Sequence, residues 1–100
     1  PEIAWAGARE QDLEEGTYKK STILISALGK SHCDNCSDGF IKILSRDGKI
    51  IGAHIVSKEA SALIQQIIIA MQNGIAIEDL KKVCFAHPTY SEGIFECLFR

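Results

Sequence analysis

Two side chains near the C-terminal end of the sequence could pass a proton between substrate and solvent. They lie in His87-Pro88-Thr89-Tyr90-Ser91-Glu92. Pro88 disfavours the α region for the residue before it, so His87 is expected on an extended turn with its imidazole projecting. Thr89 followed three residues later by Glu92 is a capping-box pattern. It starts a helix at about Tyr90 and holds the Glu92 carboxylate near the helix N-terminus, one turn from His87. A carboxylate beside an imidazole fixes the ring's tautomer and stabilises the imidazolium that forms when the ring takes a proton, so the two could act as a base and its orienter. The same spacing also fits a Glu92 that only caps its own helix and a His87 that is a turn residue with no chemical task. Spacing alone leaves both readings open.

The four cysteines, Cys33, Cys36, Cys84 and Cys97, are the second candidates. The cluster His32-Cys33-Asp34-Asn35-Cys36 suggests metal or redox chemistry, but a structural zinc site needs four ligands, usually two such pairs, and no second C-x-x-C is present. A thioredoxin-like redox role places the motif at a helix start after a strand, with a lowered thiol pKa. Here Ser37-Asp38-Gly39 follows and points to a turn. The expectation is an incidental loop pair and no metal, with a zinc-binding loop as the rival. Cys84 and Cys97 fall on expected helix faces and read as small buried hydrophobes. His54 is expected on a strand, facing a partner or solvent, and His32 in a loop.

The rest of the chain must position these groups. With 46% apolar and 24% charged residues, 100 residues have the balance of one ordinary globular domain. A net charge of −2 leaves no nucleic-acid footprint, and Lys19-Lys20 and Lys81-Lys82 are solvated pairs rather than a basic stripe. The longest apolar run, Ile67 to Met71, is far short of the roughly 18 residues a membrane span needs, so a soluble chain with no membrane partner is expected. The sequence begins at Pro1 without Met and without a targeting segment, and reads as a piece of a longer polypeptide.

Ile3 and Trp5 alternate with Ala4 and Ala6 in a short strand ending at Gly7. Ala8 to Glu15, charge-rich with Leu13 as its apolar anchor, is expected to be a short helix stopped by Gly16. A strand follows from Tyr18 to Leu28, then a polar loop from Gly29 to Asp38. Phe40 to Ser45 and Ile50 to Val56 flank Asp47-Gly48, which specifies an antiparallel hairpin with a type I′ turn. Gly52, inside the second strand, lets something pack closely against the sheet. From Glu59 to Asn73 the period becomes helical, with Ala60, Leu63, Ile64, Ile67, Ile68 and Met71 on one stripe and Ile69 and Ala62 off it. One face of that helix can cover the sheet, and the other asks for a second partner, so self-association is expected. A helix from Glu78 to Phe85, burying Leu80, Val83 and Cys84, and a last helix from Ser91 to Arg100, exposing Phe95, Leu98 and Phe99, bracket the His-Pro turn.

Taken together, residues 87–92 resemble the His-Pro-Thr-x-Ser-Glu segment in the C-terminal dimerisation domain of the pyridine nucleotide-disulfide oxidoreductases. Pro1-Glu2-Ile3-Ala4-Trp5-Ala6-Gly7 is similar to the segment that opens that domain, and Ile51-Gly52-Ala53-His54-Ile55 to its central strand, so the resemblance runs along nearly the whole chain in the family's order. Trp5 makes it more similar to the dihydrolipoyl dehydrogenase branch than to glutathione or mercuric reductases. Tyr90, where a leucine is often found, and Ala60 to Gln66, without the Gly and Glu typical after the central strand, depart from the pattern.

The resemblance implies an α+β sandwich, an antiparallel sheet covered by helices, with residues 1–100 forming a single C-terminal dimerisation domain of a longer chain. No G-x-G-x-x-G is present, so FAD and NAD are expected to bind other domains of the full-length enzyme and not this segment alone. Neither cysteine pair has the family's active-site spacing, which puts the redox disulfide elsewhere and leaves the segment alone inactive. In a homodimer, His87 would be the catalytic base and Glu92 its orienter, both lent to the partner subunit's active site for NAD-dependent oxidation of dihydrolipoamide. His87 and Pro88 would then approach that subunit's flavin. Lipoyl domains of 2-oxo acid dehydrogenase complexes are the implied partners, and a bacterial cytoplasm or a mitochondrial matrix the implied location. The rival readings are a purely structural dimerisation module whose His-Pro turn is vestigial, and the same domain from a glutathione or mercuric reductase-like enzyme.

Overall fold

The computed structural model describes residues 1–100. Four strands, β1 (Glu2–Gly7), β2 (Lys19–Leu24), β3 (Phe40–Arg46) and β4 (Lys49–Ser57), form one sheet in the order β1-β4-β3-β2. Every neighbouring pair is antiparallel. The β3–β4 hairpin closes through Asp47 and Gly48, both left-handed (φ 52° and 77°), as a type I′ turn between right-twisted strands requires. Beyond the turn, Ser45 faces Ile50 and Leu44 faces Gly52, so Ile51 is the extra residue of a bulge, and its carbonyl accepts the Ala8 amide at 2.9 Å. Gly52 earns its place here, since a Cβ would run into the Ala8 carbonyl oxygen. The close neighbour expected at Gly52 is therefore the chain leaving β1.

The sheet has two unlike faces. On one, Ile23, Ile41, Ile43, Ala53 and Ile55 are buried under helix α2 (Ala60–Gln72), which lies over β1 and β4, and helix α4 (Ser91–Leu98), which lies over β2 and β3. The expected stripe on α2 is real. Ala60, Leu63, Ile64 and Ile67 are buried with Ala70, while Ile68 and Met71 are half-buried against the core. Each fully buried Leu or Ile contributes roughly 1.5–3 kcal/mol. The Glu2 carboxylate caps α2 from the neighbouring strand, accepting both the amide and the hydroxyl of Ser61 at 2.9 Å. On the other face, Ile3, Trp5 and Leu24 remain 69%, 64% and 61% exposed. Of the residues expected on a second apolar face of α2, only Ile69 stands out as a large exposed side chain, while Ile3, Trp5 and Leu24 lie on the sheet.

Several expected elements differ. Ala8 to Glu15 makes only a 3₁₀ turn at Glu10–Asp12, because one apolar residue gives a short helix nothing to bury and an unpacked helix of that length is marginal. The strand expected to Leu28 stops at Leu24 and continues as a 3₁₀ turn over Ile25–Ala27. Ile25 and Leu28 are both buried, a three-residue spacing that suits a turn and not a strand. The expected loop after it is helix α1 (Gly29–Asp34), stopped by Asn35 in the left-handed region (φ 52°). Its polar side chains hid it from the hydrophobic pattern. Helix α3 (Ile77–Leu80) is shorter than expected, and Val83 and Cys84 beyond it are exposed rather than buried. The last helix ends at Leu98, which is buried, and Phe95 is half-buried, its ring 5.1 Å from Phe85 and 4.8 Å from Phe99. Phe99 alone of the three meets solvent freely.

Candidate functional site

His87 sits on the turn before α4, and its bond to Pro88 is cis. Both oxygens of the Glu92 carboxylate lie 3.0 Å from His87 Nδ1. The Thr89 amide donates to Glu92 Oε1 at 2.9 Å, while the Thr89 hydroxyl turns away and donates to the Ala86 carbonyl at 2.6 Å. Only the glutamate half of the capping box is therefore made. One carboxylate thus meets both the Thr89 amide at the start of the helix and the His87 ring.

The Thr89 amide and, after it, His87 hold the Glu92 carboxyl below its ordinary range, against the opposing effect of burial. It is ionised at neutral pH. An ionised acceptor at Nδ1 places the proton of the neutral ring there and leaves the lone pair at Nε2. His87 is 73% exposed and Glu92 27%, and Nε2 has no partner within the chain. Chemically, the arrangement is an accessible ring nitrogen with a carboxylate on the nitrogen behind it.

Three contacts hold the turn. Gly93 lets α4 lie against the sheet, since a Cβ there would stand 2.5 Å from Ile41 Cδ1 and 3.1 Å from Leu28 Cδ1. Gln66 of α2 donates to the Ser91 hydroxyl at 2.8 Å. Tyr90 is 2% exposed and its hydroxyl donates to Asp34 Oδ2 at 2.9 Å. Burial and then the Asp34 carboxylate push the Tyr90 phenol up to about 12. Asp34 is in turn held low by the Tyr90 hydroxyl and by Lys30, at 3.4 Å, with Lys58 at 3.7 Å. At the other end of α1, a Cβ on Gly29 would lie 3.6 Å from His87 Cε1. This buttress by α1 was not expected from the sequence. The available signal was Tyr90 itself, because a phenol in a slot that takes leucine needs a polar partner once buried.

The other candidates lie apart from His87 and Glu92. Cys33 is exposed in the last turn of α1 and Cys36 half-exposed just after it, at the C-terminal end of a helix and not at its start. His32 is in that same turn rather than in a loop. All four cysteines are free, and no three His, Cys, Asp or Glu side chains are grouped to hold a metal ion. Cys84 is exposed, contrary to expectation, because α3 ends before it. Cys97 is buried as expected, and burial pushes its thiol up to about 12. His54 lies on β4 opposite Trp5 and Lys42, with its Nδ1 buried and unpaired. No helix is long and apolar enough to cross a membrane.

Residues 1–97 match the family model for the pyridine nucleotide-disulphide oxidoreductase dimerisation domain. Mitochondrial dihydrolipoyl dehydrogenase of Sus scrofa is 37% identical over 100 aligned residues, which cover 96% of this chain and 20% of that protein. The Homo sapiens protein of the same name is 36% identical with the same coverage. Among solved structures, LpdA of Mycobacterium tuberculosis matches with a TM-score of 0.91 at 28% identity, over 99% of this chain and 22% of that one. The flavoprotein disulfide reductase RclA of Escherichia coli shares the fold, with a TM-score of 0.89 at 18% identity over 97% of this chain and 23% of that one. The chain thus spans about a fifth of the length of the relatives it matches. It belongs to the pyridine nucleotide-disulphide oxidoreductases, as a dimerisation domain of that family.

Proposed function

We propose that residues 1–100 form a single C-terminal domain of a dihydrolipoyl dehydrogenase, and that in a homodimer His87 serves as the base in the partner subunit's active site, with Glu92 as its orienter. The observation that carries this reading is the seating of the Glu92 carboxylate on His87 Nδ1, both oxygens at 3.0 Å, with Nε2 left outward. A dithiol attacks a disulfide as its thiolate, so a base that takes the thiol proton raises the reactive fraction. His87 Nε2 accepts that proton, and Glu92 stabilises the imidazolium that results. Proton transfer of this kind is worth roughly 10²–10⁴ in rate.

FAD and NAD, which supply the electron-transfer chemistry when bound, fit nothing in these residues. No glycine-rich strand-to-helix turn exists here to cradle a pyrophosphate, and the glycines with open space, Gly16 and Gly48, serve tight surface turns. Both groups are assigned to the remainder of a longer chain, together with the redox-active disulfide, so the segment alone is expected to be inactive. His87 and Pro88 are both exposed, as an approach to a partner's flavin requires. The likeness to mitochondrial dihydrolipoyl dehydrogenases extends the reading to NAD-dependent oxidation of dihydrolipoamide carried on lipoyl domains of 2-oxo acid dehydrogenase complexes, in a mitochondrial matrix or a bacterial cytoplasm.

The test is His87→Gln in the full-length enzyme. Turnover of dihydrolipoamide should fall by about 10²–10⁴ while flavin content is retained. Mixing that variant with a subunit disabled in its own disulfide should restore one active site in each heterodimer. Equal kinetics for wild type and variant, or no rescue in verified heterodimers, would return His87 to the status of a turn residue.

A further inference from the structure

Cys33 and Cys36 have no part in the reading above, yet the structure gives them a setting that a surface loop pair would lack. They flank the end of α1, where Asn35 in the left-handed region (φ 52°) turns the chain and the Cys36 amide closes onto the Ser31 carbonyl at 3.0 Å. One tight turn thus carries both thiols. Cys33 is exposed and Cys36 half-exposed. Between them in sequence stands Asp34, the acceptor of the Tyr90 hydroxyl at 2.9 Å. The other cysteines lack such a neighbour: Cys97 is buried and Cys84 stands alone.

We propose that Cys33 and Cys36 are a thiol–disulfide exchange site, closing to an intrachain disulfide on reaction with a small disulfide such as oxidised glutathione, and that closure is felt at His87 through Asp34 and Tyr90. The Cys33 thiolate, the more accessible, attacks one sulfur of the small disulfide and releases the first thiolate. The Cys36 thiolate then attacks the Cys33 sulfur of the mixed disulfide and releases the second. Two protein thiols are oxidised with loss of two protons and two electrons, and the small disulfide is reduced to two thiols. Closure constrains the turn that holds Asp34, and Asp34 meets Tyr90, which lies inside the segment that carries His87 and Glu92. Gly29, at the other end of α1, is near the His87 ring, since a Cβ there would lie 3.6 Å from its Cε1. The proposal goes beyond the base role of His87 and does not require it, since ring closure is read by mass and not by activity.

The full-length protein would be equilibrated in glutathione buffers of increasing oxidised fraction, quenched in acid, alkylated and digested with trypsin. Cleavage after Lys30 and Lys42 isolates Ser31–Lys42, a peptide with Cys33 and Cys36 as its only cysteines. The expected product is this peptide without alkyl groups and lighter by about two mass units than the dithiol, rising with oxidised glutathione and fully reversed by reduced glutathione. The Cys84 peptide should show only a glutathione adduct. Alkylation of both thiols at every ratio, or separate glutathione adducts on Cys33 and Cys36 at excess, would overturn the site. In the isotope-labelled protein, the His87 ring resonance should shift between the reduced and closed forms and stay fixed in Cys33→Ser. Closure that leaves that resonance unmoved would overturn the link to His87.

Discussion

His87 and His54 carry the same ring in opposite surroundings. His87 stands on a turn, 73% exposed, with a carboxylate on its Nδ1 from five residues along the chain. His54 stands on β4 between Trp5 and Lys42, with its Nδ1 buried and no acceptor in reach. Burial, and then the Lys42 ammonium, push the His54 pKa down. One ring has a carboxylate on its Nδ1 and an open Nε2, and the other has its Nδ1 buried without a partner. The difference lies in neighbours, and it shows why a histidine in a sequence says little until the group behind its second nitrogen is known.

The largest effect that would break this comparison is on turnover. In the full-length enzyme His54→Gln should leave the rate within a few-fold of wild type, against a loss of about 10²–10⁴ for His87→Gln. Similar losses from both substitutions, measured by steady-state oxidation of dihydrolipoamide, would erase the distinction.

A smaller effect concerns the packing that lets Glu92 meet the ring. Gly93→Val should lower unfolding stability by about 1–3 kcal/mol in urea titrations, because Ile41 Cδ1 stands 2.5 Å from the new Cβ in a fully buried place. An unchanged urea midpoint would mean that α4 can ride away from the sheet without cost. Smaller again, Tyr90→Phe should cost about 0.5–1.5 kcal/mol by removing the hydrogen bond to Asp34, which retains Lys30 and Lys58. The same titration checks it.

The least effect is on pH dependence, and the two groups differ in window. Glu92 is held below the ordinary carboxyl range, so its stabilisation is complete above that range and is lost as pH falls through the lowered value. His54 is held below the ordinary imidazole range, so the fold resists its protonation and stability is lost as pH falls through that range. Unfolding midpoints between about pH 7.5 and 5.5 should therefore slope less in His54→Gln, and the steeper acid limb should flatten in Glu92→Gln. An unaltered pH profile in either variant would remove that residue's part.

Much of this was legible in the residues. Asp47-Gly48 fixed the hairpin because both positions need positive φ, and the three-and-four spacing from Ala60 to Ile67 fixed the face of α2. The nearness of His87 and Glu92 followed from the turn and the cap that share Thr89. Helix α1 was not legible, since its polar side chains show no apolar stripe and its main anchors, Ser31 hydroxyl to the Leu28 carbonyl and Asp34 to Tyr90, are polar contacts that periodicity does not see. Nor was the exposure of Cys84, which depended on where α3 stops. The bare side of the sheet was half visible: Ile3 and Trp5 alternate with Ala4 and Ala6, but which pair faced α2 was a matter of the register with β4.

With the Glu92 carboxylate at its Nδ1, a neutral His87 should carry its proton there and leave Nε2 free to accept another. Nitrogen-15 NMR of the histidine-labelled protein, at a pH where His87 is neutral, reads this directly. The expected result is a protonated Nδ1 and an unprotonated Nε2 for His87, and a shift of the proton toward Nε2 in Glu92→Gln. A neutral His87 with its proton on Nε2 in the wild type, or the same tautomer with and without the Glu92 carboxylate, would contradict it.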